Sequence, residues 1–177
     1  MRKLDKSIVL VGMMGSGKSA VGRRLAAALG VPFRDADTEI EVAAGCSVNE
    51  IFSRYGESAF RDGERKVVSR LLNEPPQVLA TGGGAFIDND IRARIKVQAT
   101  SVWLKADLDL LAERTARKGT RPLLKGDNPR EVLEKLMIER AAIYAQADIT
   151  VESDAGPHDA IVKRIVAALE NRVSKAS

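Results

Sequence analysis

Cysteine, histidine and aromatic residues are the scarce ones in this 177-residue chain, and each scarcity closes off a class of function. The single cysteine, Cys46, has no partner for an internal disulfide and no neighbour at metal-ligand spacing, which leaves it a small filler residue. The single histidine, His158, is equally alone and reads as a surface residue near a helix start. Aromatics make up 4% of the chain, too few to build a stacking platform for bases. The net charge of +4 is carried by basic residues scattered singly among acids, so nucleic acid is not an expected partner. No apolar run approaches the ~18 residues of a membrane span, and SIVLV behind the basic start MRKLDK is too short for a signal-peptide core. The expectation is one cytoplasmic domain, residues 1–177, whose modest positive charge suits an enzyme with polyanionic ligands. A monomer is the expected state.

What the chain does have is alternation. Short apolar or β-branched runs stand at Ser7–Val11, Val31–Arg34, Val78–Ala80, Ser101–Leu104 and Asp148–Val151. Segments of helical period fill 17–29, 38–44, 48–73, 88–96, 108–118, 129–146 and 157–172. This pattern predicts an α/β fold with a five-stranded parallel sheet covered by helices on both faces. Ser47-Val48-Asn49-Glu50 spells a capping box, and Asn128-Pro129 puts proline at a first helical position. Residues 118–128, KGTRPLLKGDN, carry glycines near both ends around Lys118, Arg121 and Lys125. They read either as a lid that opens and shuts or as a plain solvated loop.

Gly12-Met13-Met14-Gly15-Ser16-Gly17-Lys18-Ser19 fits G-x-x-x-x-G-K-[ST], with a strand before it and a helix after it. Glycines there let backbone N–H groups and the helix N-terminus point at an anion. Lys18 would reach the β- and γ-phosphates of a nucleoside triphosphate, and the Ser19 hydroxyl would hold Mg²⁺. GTPases of this superfamily read guanine with Asn/Thr-Lys-x-Asp. Leu104-Lys105-Ala106-Asp107 lacks the leading amide or hydroxyl, so ATP is preferred. Asp35, at the end of Val31-Pro32-Phe33-Arg34, is the candidate acidic partner of the Mg²⁺.

Other residues point to a phosphate acceptor. Asp35-Ala36-Asp37 sets two carboxylates two apart at a strand end, on one side if the chain is extended. Asp37 is then either a helix cap or the group that orients and deprotonates an acceptor hydroxyl. Arg140 falls inside the apolar stripe Leu133, Leu136, Met137, Ala141 and Tyr144, while Glu64, with Arg61 beside it, falls on the inward face marked by Phe60, Val67, Val68 and Leu71. Inward charges need partners or a wet cavity. Internal salt bridges are one solution, and a small anionic substrate gripped by two guanidiniums is the other. The third feature is Gly82-Gly83-Gly84 behind the run Val78–Ala80. A tight turn needs one or two glycines but hardly three, whereas a polar substrate pressed against main chain would use them all. Since open α/β sheets bind ligands beyond the carboxyl ends of their strands, both glycine-rich turns should share one crevice. A kinase is the reading.

The ordered set GMMGSGKS, DADTEIE, SVNEIFSRYGESAFRDGE, ATGGGAF, TRPLL and ERAAIY resembles the shikimate kinase family over residues 7–170. The resemblance implies the P-loop, nucleoside monophosphate kinase-like fold and ATP-dependent phosphorylation of the 3-hydroxyl of shikimate. It implies a substrate-binding segment at about 34–64, a lid at about 118–128 and a phosphate-binding loop of Gly12, Gly15, Ser16, Gly17, Lys18, Ser19 and Ala20. Mg²⁺ would sit at Ser19 and Asp35, and shikimate at Asp37, Arg61, Gly82, Gly83, Gly84 and Arg140. Lys18, Asp37 and Arg121 would be catalytic, and Arg114 and Pro157 would shelve adenine, with Arg121 also on the nucleotide. Ala20 stands where the family commonly has threonine, and Gly63 interrupts the helix of Arg61 and Glu64. Gluconate kinases and nucleoside monophosphate kinases are the rivals within the superfamily. A nucleotide-dependent binding module and a basic RNA-binding domain are the rivals from outside it.

Overall fold

Ser7–Val11 (β1) lies wholly buried, the pattern of a central strand in a sheet covered on both faces. The computed structural model describes residues 3–118 and 128–177. Phe33–Asp35 (β2), Val78–Ala80 (β3), Ala99–Lys105 (β4) and Ile149–Glu152 (β5) complete a parallel five-stranded sheet in the order β2-β3-β1-β4-β5. Among the described residues the helices are Lys18–Leu29 (α1), Ala36–Ala44 (α2), Val48–Leu72 (α3), Asn89–Gln98 (α4), Leu108–Lys118 (α5), Pro129–Tyr144 (α6) and His158–Ala176 (α7).

The strand period of two divides the core. Ile8 and Leu10 face one side, where Val21 and Leu25 of α1 and Ile161 and Ile165 of α7 cover them. Val9 and Val11 face the other, against Val68 and Leu71 of α3 and Ile91 and Ile95 of α4. Cys46 packs partly buried against that second core, as a filler residue should. The register aligns Leu10 with Ala80 and Ala80 with Asp35, so β1, β3 and β2 end together. Their carboxyl ends deliver Gly12–Ser19, Gly82–Gly84 and Asp35–Asp37 to one edge of the molecule.

The capping signals hold: Ser47 Oγ accepts from Glu50 N at 3.1 Å, and Asn128 Oδ1 accepts from Glu131 N at 3.3 Å. Elsewhere the boundaries move. Val31 lies outside β2, whose strand instead includes Asp35, and β4 starts two residues earlier than its apolar run. A 3-10 turn at Ala85–Ile87 follows the three glycines, and α7 continues through Ala176. α3 is kinked, but at Gly56 (φ 85°) and not at Gly63, which sits in regular helix with open space beside it. In α6, Ala141 is exposed, because the inward stripe drifts around the helix towards Ile143 and Tyr144. Arg121 and nearly all of the expected lid lie outside the described residues.

Candidate active site

The turn after β1 is built by positive-φ glycines: Gly12 at 144°, Gly15 at 83° and Gly17 at 95°. Such angles are readily open only to glycine. Gly12 is also hemmed in, since a Cβ there would lie 2.8 Å from the Leu104 carbonyl oxygen. Gly17 caps α1 without a side chain, so the first N–H groups of the helix remain directed at the turn. Lys18 Nζ donates to the Gly12 and Met13 carbonyls at 2.7 and 2.9 Å, holding its charge over the loop. Ser16 is fully buried; Ser153 Oγ donates to its carbonyl at 2.7 Å, which ties the loop to the end of β5.

Asp35 serves two elements. Its Oδ1 accepts from the N–H groups of Asp37 and Thr38, capping α2, and its Oδ2 accepts from Ser19 Oγ at 2.6 Å. The cap of α2 is therefore Asp35, and Asp37 stands in the first helical turn instead of in extended chain. The expectation that two-residue spacing would align the carboxylates fails there, because the helix begins at Ala36. Both aspartates nonetheless line the same cleft as Lys18 and Ser19. A hydroxyl and a carboxylate converging within hydrogen-bond distance are hard oxygen donors of the kind Mg²⁺ takes alongside phosphates and water.

Each of the three glycines after β3 faces a different charged residue. A Cβ on Gly82 would lie 3.0 Å from Asp37 Oδ1, one on Gly83 3.5 Å from Arg140 Nη1, and one on Gly84 2.7 Å from Arg61 Cζ. None of the three has a positive φ. They are required for the space a side chain would fill.

The two inward arginines part company. Arg61 pairs with Glu64 at 2.9 Å and with Glu57 at 3.6 Å, so the internal salt bridge is real for it. Arg140 is buried to 8% exposure, yet forms no ion pair among the described residues. Its Nη1 donates to the Gly83 carbonyl at 3.1 Å, and Tyr144 Oη donates to the same oxygen. Tyr144 is itself stacked on Trp103, with ring centroids 5.7 Å apart. Burial pushes the Tyr144 phenol up from its usual value, which keeps it a donor. Its service to Gly83 was invisible in the sequence, where it marked only an apolar stripe. Glu64 is fully enclosed, and its Oε2 has no hydrogen-bond partner among the described residues. Burial pushes its carboxyl up, Arg61 opposes the shift, and nearby Asp37 and Asp88 add to it.

At the other end of the cleft, Arg114 Nη1 donates to the Gly15 carbonyl at 3.2 Å and its Nη2 to the Asp154 carbonyl at 3.1 Å. Ala20 lines the cleft, but Pro157 is exposed at the cap of α7 and does not. His158 and Arg117 line it instead. The lone histidine is therefore no plain surface residue. Its solitude in the sequence gave no spatial signal.

A parallel sheet whose first strand runs into a phosphate cradle, with a charged, glycine-floored pocket alongside, places the chain among the P-loop kinases. The family model described as shikimate kinase matches residues 14–170, and the chain belongs to that family as a phosphotransferase. The shikimate kinase of Caulobacter vibrioides is 58% identical over 164 residues, 93% of this chain and 82% of that protein. That of Paramagnetospirillum magneticum is 56% identical over 167 residues, covering 94% and 86%. Among solved structures, shikimate kinase from Acinetobacter baumannii in complex with shikimate superposes with a TM-score of 0.93 at 36% identity, covering 96% of each chain. A gluconokinase from Sinorhizobium meliloti, at 21% identity and a TM-score of 0.68, shares the fold, with 99% and 97% covered.

Proposed function

We propose that this chain phosphorylates the 3-hydroxyl of shikimate with ATP, as a single-domain, monomeric cytoplasmic enzyme. The observation that carries the acceptor assignment is the floor of Gly82, Gly83 and Gly84, each backed by one of Asp37, Arg140 and Arg61. A carboxylate and several hydroxyls on a small flat ring suit that arrangement. Two guanidiniums take the carboxylate, one carboxylate takes the hydroxyls, and bare backbone meets the ring.

Asp37 orients the attacking hydroxyl and accepts its proton while the oxygen forms a bond to the γ-phosphorus and the bond to ADP breaks. Gly12–Ser19 holds the phosphates with backbone N–H groups, and Lys18 swings from its two carbonyls to the β- and γ-phosphates. Mg²⁺, at Ser19 and Asp35, would neutralise charge developing between those phosphates. Asp35 keeps the Ser19 hydroxyl turned towards that position. Arg121 lies outside the described residues; its role at the transferring phosphate rests on the resemblance of TRPLL alone. Arg114 holds the outer side of the loop, where the nucleoside would lie.

The test is ADP release from Mg-ATP with and without shikimate, beside gluconate and nucleoside monophosphates. Strong stimulation by shikimate alone is expected. Stimulation by another compound would keep the kinase and replace the acceptor.

A further inference from the structure

We infer that Tyr144 is a positioning residue for the acceptor, its hydroxyl locking the Gly83–Gly84 peptide in one of two orientations and so anchoring Arg140. The inference rests on the acceptor reading of the glycine floor. Gly82 to Ala85 form a hydrogen-bonded four-residue turn, with Ala85 N donating to the Gly82 carbonyl at 3.2 Å. Gly84, its third residue, has φ −96° and ψ −5°, the values of a type I turn. A type II turn closes the same hydrogen bond with the central peptide turned over, and it demands a positive φ at that third residue. Glycine meets the demand at no steric cost. Bare of side chains, the turn has little in its own chemistry to choose between the two forms. Turning the peptide over would exchange the directions of the Gly83 carbonyl and the Gly84 N–H, which point opposite ways across a trans bond. Arg140 would then lose its anchor.

The choice is made from α6. Arg140 Nη1 and Tyr144 Oη both donate to the Gly83 carbonyl, filling its two lone pairs. The two residues stand four apart, so one face of the helix delivers both. They differ in what holds them. Arg140 forms no ion pair among the described residues and reaches the turn on a long side chain. Tyr144 is 1% exposed and stacked on Trp103, whose Cδ1 would lie 3.4 Å from a Cβ on Gly12. A stack that reaches from the turn after β1 to the turn after β3 fixes where the hydroxyl stands. The tyrosine thus fixes the carbonyl, and the carbonyl fixes the guanidinium, whose remaining N–H groups are left for an anion. A buried phenol needs some acceptor, and any carbonyl would serve a purely structural one. This carbonyl is shared with the arginine and belongs to the peptide that separates the two turn types.

Tyr144→Phe removes the hydroxyl and keeps the ring stack. KM for shikimate should rise about 2- to 10-fold, the scale of a neutral hydrogen bond, while KM for ATP and kcat hold. In the ligand-free ¹⁵N-labelled protein the Gly84 amide should shift and broaden in the variant, with the Gly17 amide unmoved. An unchanged KM for shikimate in the folded variant would overturn the inference. Equal rises in both constants would also overturn it and leave Tyr144 a structural residue. If the variant fails to fold, the wild type still decides: relaxation dispersion should find no exchange at Gly84 before shikimate is added. Exchange there would mean that the peptide inverts with the hydroxyl in place, and the inference fails. A wild type whose ATP turnover shikimate does not stimulate would remove the acceptor reading, and the inference with it.

Discussion

Gly12, Gly15 and Gly17 all adopt positive φ, whereas Gly82, Gly83 and Gly84 adopt none. Both trios follow a buried strand, and Gly15, Gly17, Gly82 and Gly83 line one cleft, but the first trio is glycine because of its backbone angles and the second because of what stands where a Cβ would be. A loop of the first kind cannot be rebuilt from other residues without changing its path. A floor of the second kind would keep its path and lose the positions of the charged groups around it. The turn after β1 is thus a conformational device, and the turn after β3 a packing device.

That distinction can be broken by substitution. Gly12→Ala should have the largest effect, because a Cβ would meet the fixed Leu104 carbonyl and the backbone would be strained as well. Strain of that kind costs about 1–3 kcal/mol. Urea denaturation should show the loss, together with abolished nucleotide binding. Gly84→Ala should cost less stability, since the new methyl meets the movable end of Arg61 and not fixed backbone, but it should raise KM for shikimate. The rise should be about 10-fold or more, the scale of a charged hydrogen bond. A large fall in stability with an unchanged KM would erase the contrast between the two turns.

A smaller effect concerns the carboxyl behind the floor. Glu64 binds its proton more tightly folded than unfolded, so its contribution to stability is full below its unfolded value of 4.5 and is lost as pH rises through the raised folded value. Glu64→Gln should therefore become more stable relative to wild type as pH increases over that window. The difference should stay within the ~1–3 kcal/mol cost of a buried unsatisfied group. Denaturation at a series of pH values measures it, and a difference independent of pH would contradict it. The mildest prediction uses a glycine belonging to neither turn. Gly63→Ala, in regular helix with nothing within 4 Å of the new methyl, should stabilise the fold by about 1 kcal/mol in the same assay.

Gly63 and Gly56 also show where sequence reading stops. Both lie within one stretch of helical period, and nothing in the letters says which will bend the chain; the kink falls at Gly56 because only there does the backbone turn to positive φ. The nucleotide turn was legible because its glycine spacing is locked to the strand before it and the helix after it. The inward positions of Glu64 and Arg140 were legible because helical period assigns them to buried faces. Their partners were not, since Glu64 meets Arg61 one turn away while Arg140 meets a backbone carbonyl 57 residues distant in the chain. The capping role open to Asp37 falls to Asp35 instead, because the helix starts one residue after Asp35. The run of three glycines was legible as backbone that had to stay bare. Which charge backs which glycine required three elements far apart in sequence to meet.

For inhibitor chemistry the floor has a practical meaning. Drug resistance commonly arises when a pocket residue is swapped for a bulkier one that excludes the drug and spares the natural ligand. At Gly82–Gly84 any replacement introduces a Cβ beside Asp37, Arg140 or Arg61, the groups on which the proposed acceptor itself depends. A compound resting its flat face on that backbone would leave the enzyme few escape routes that do not also injure its own turnover.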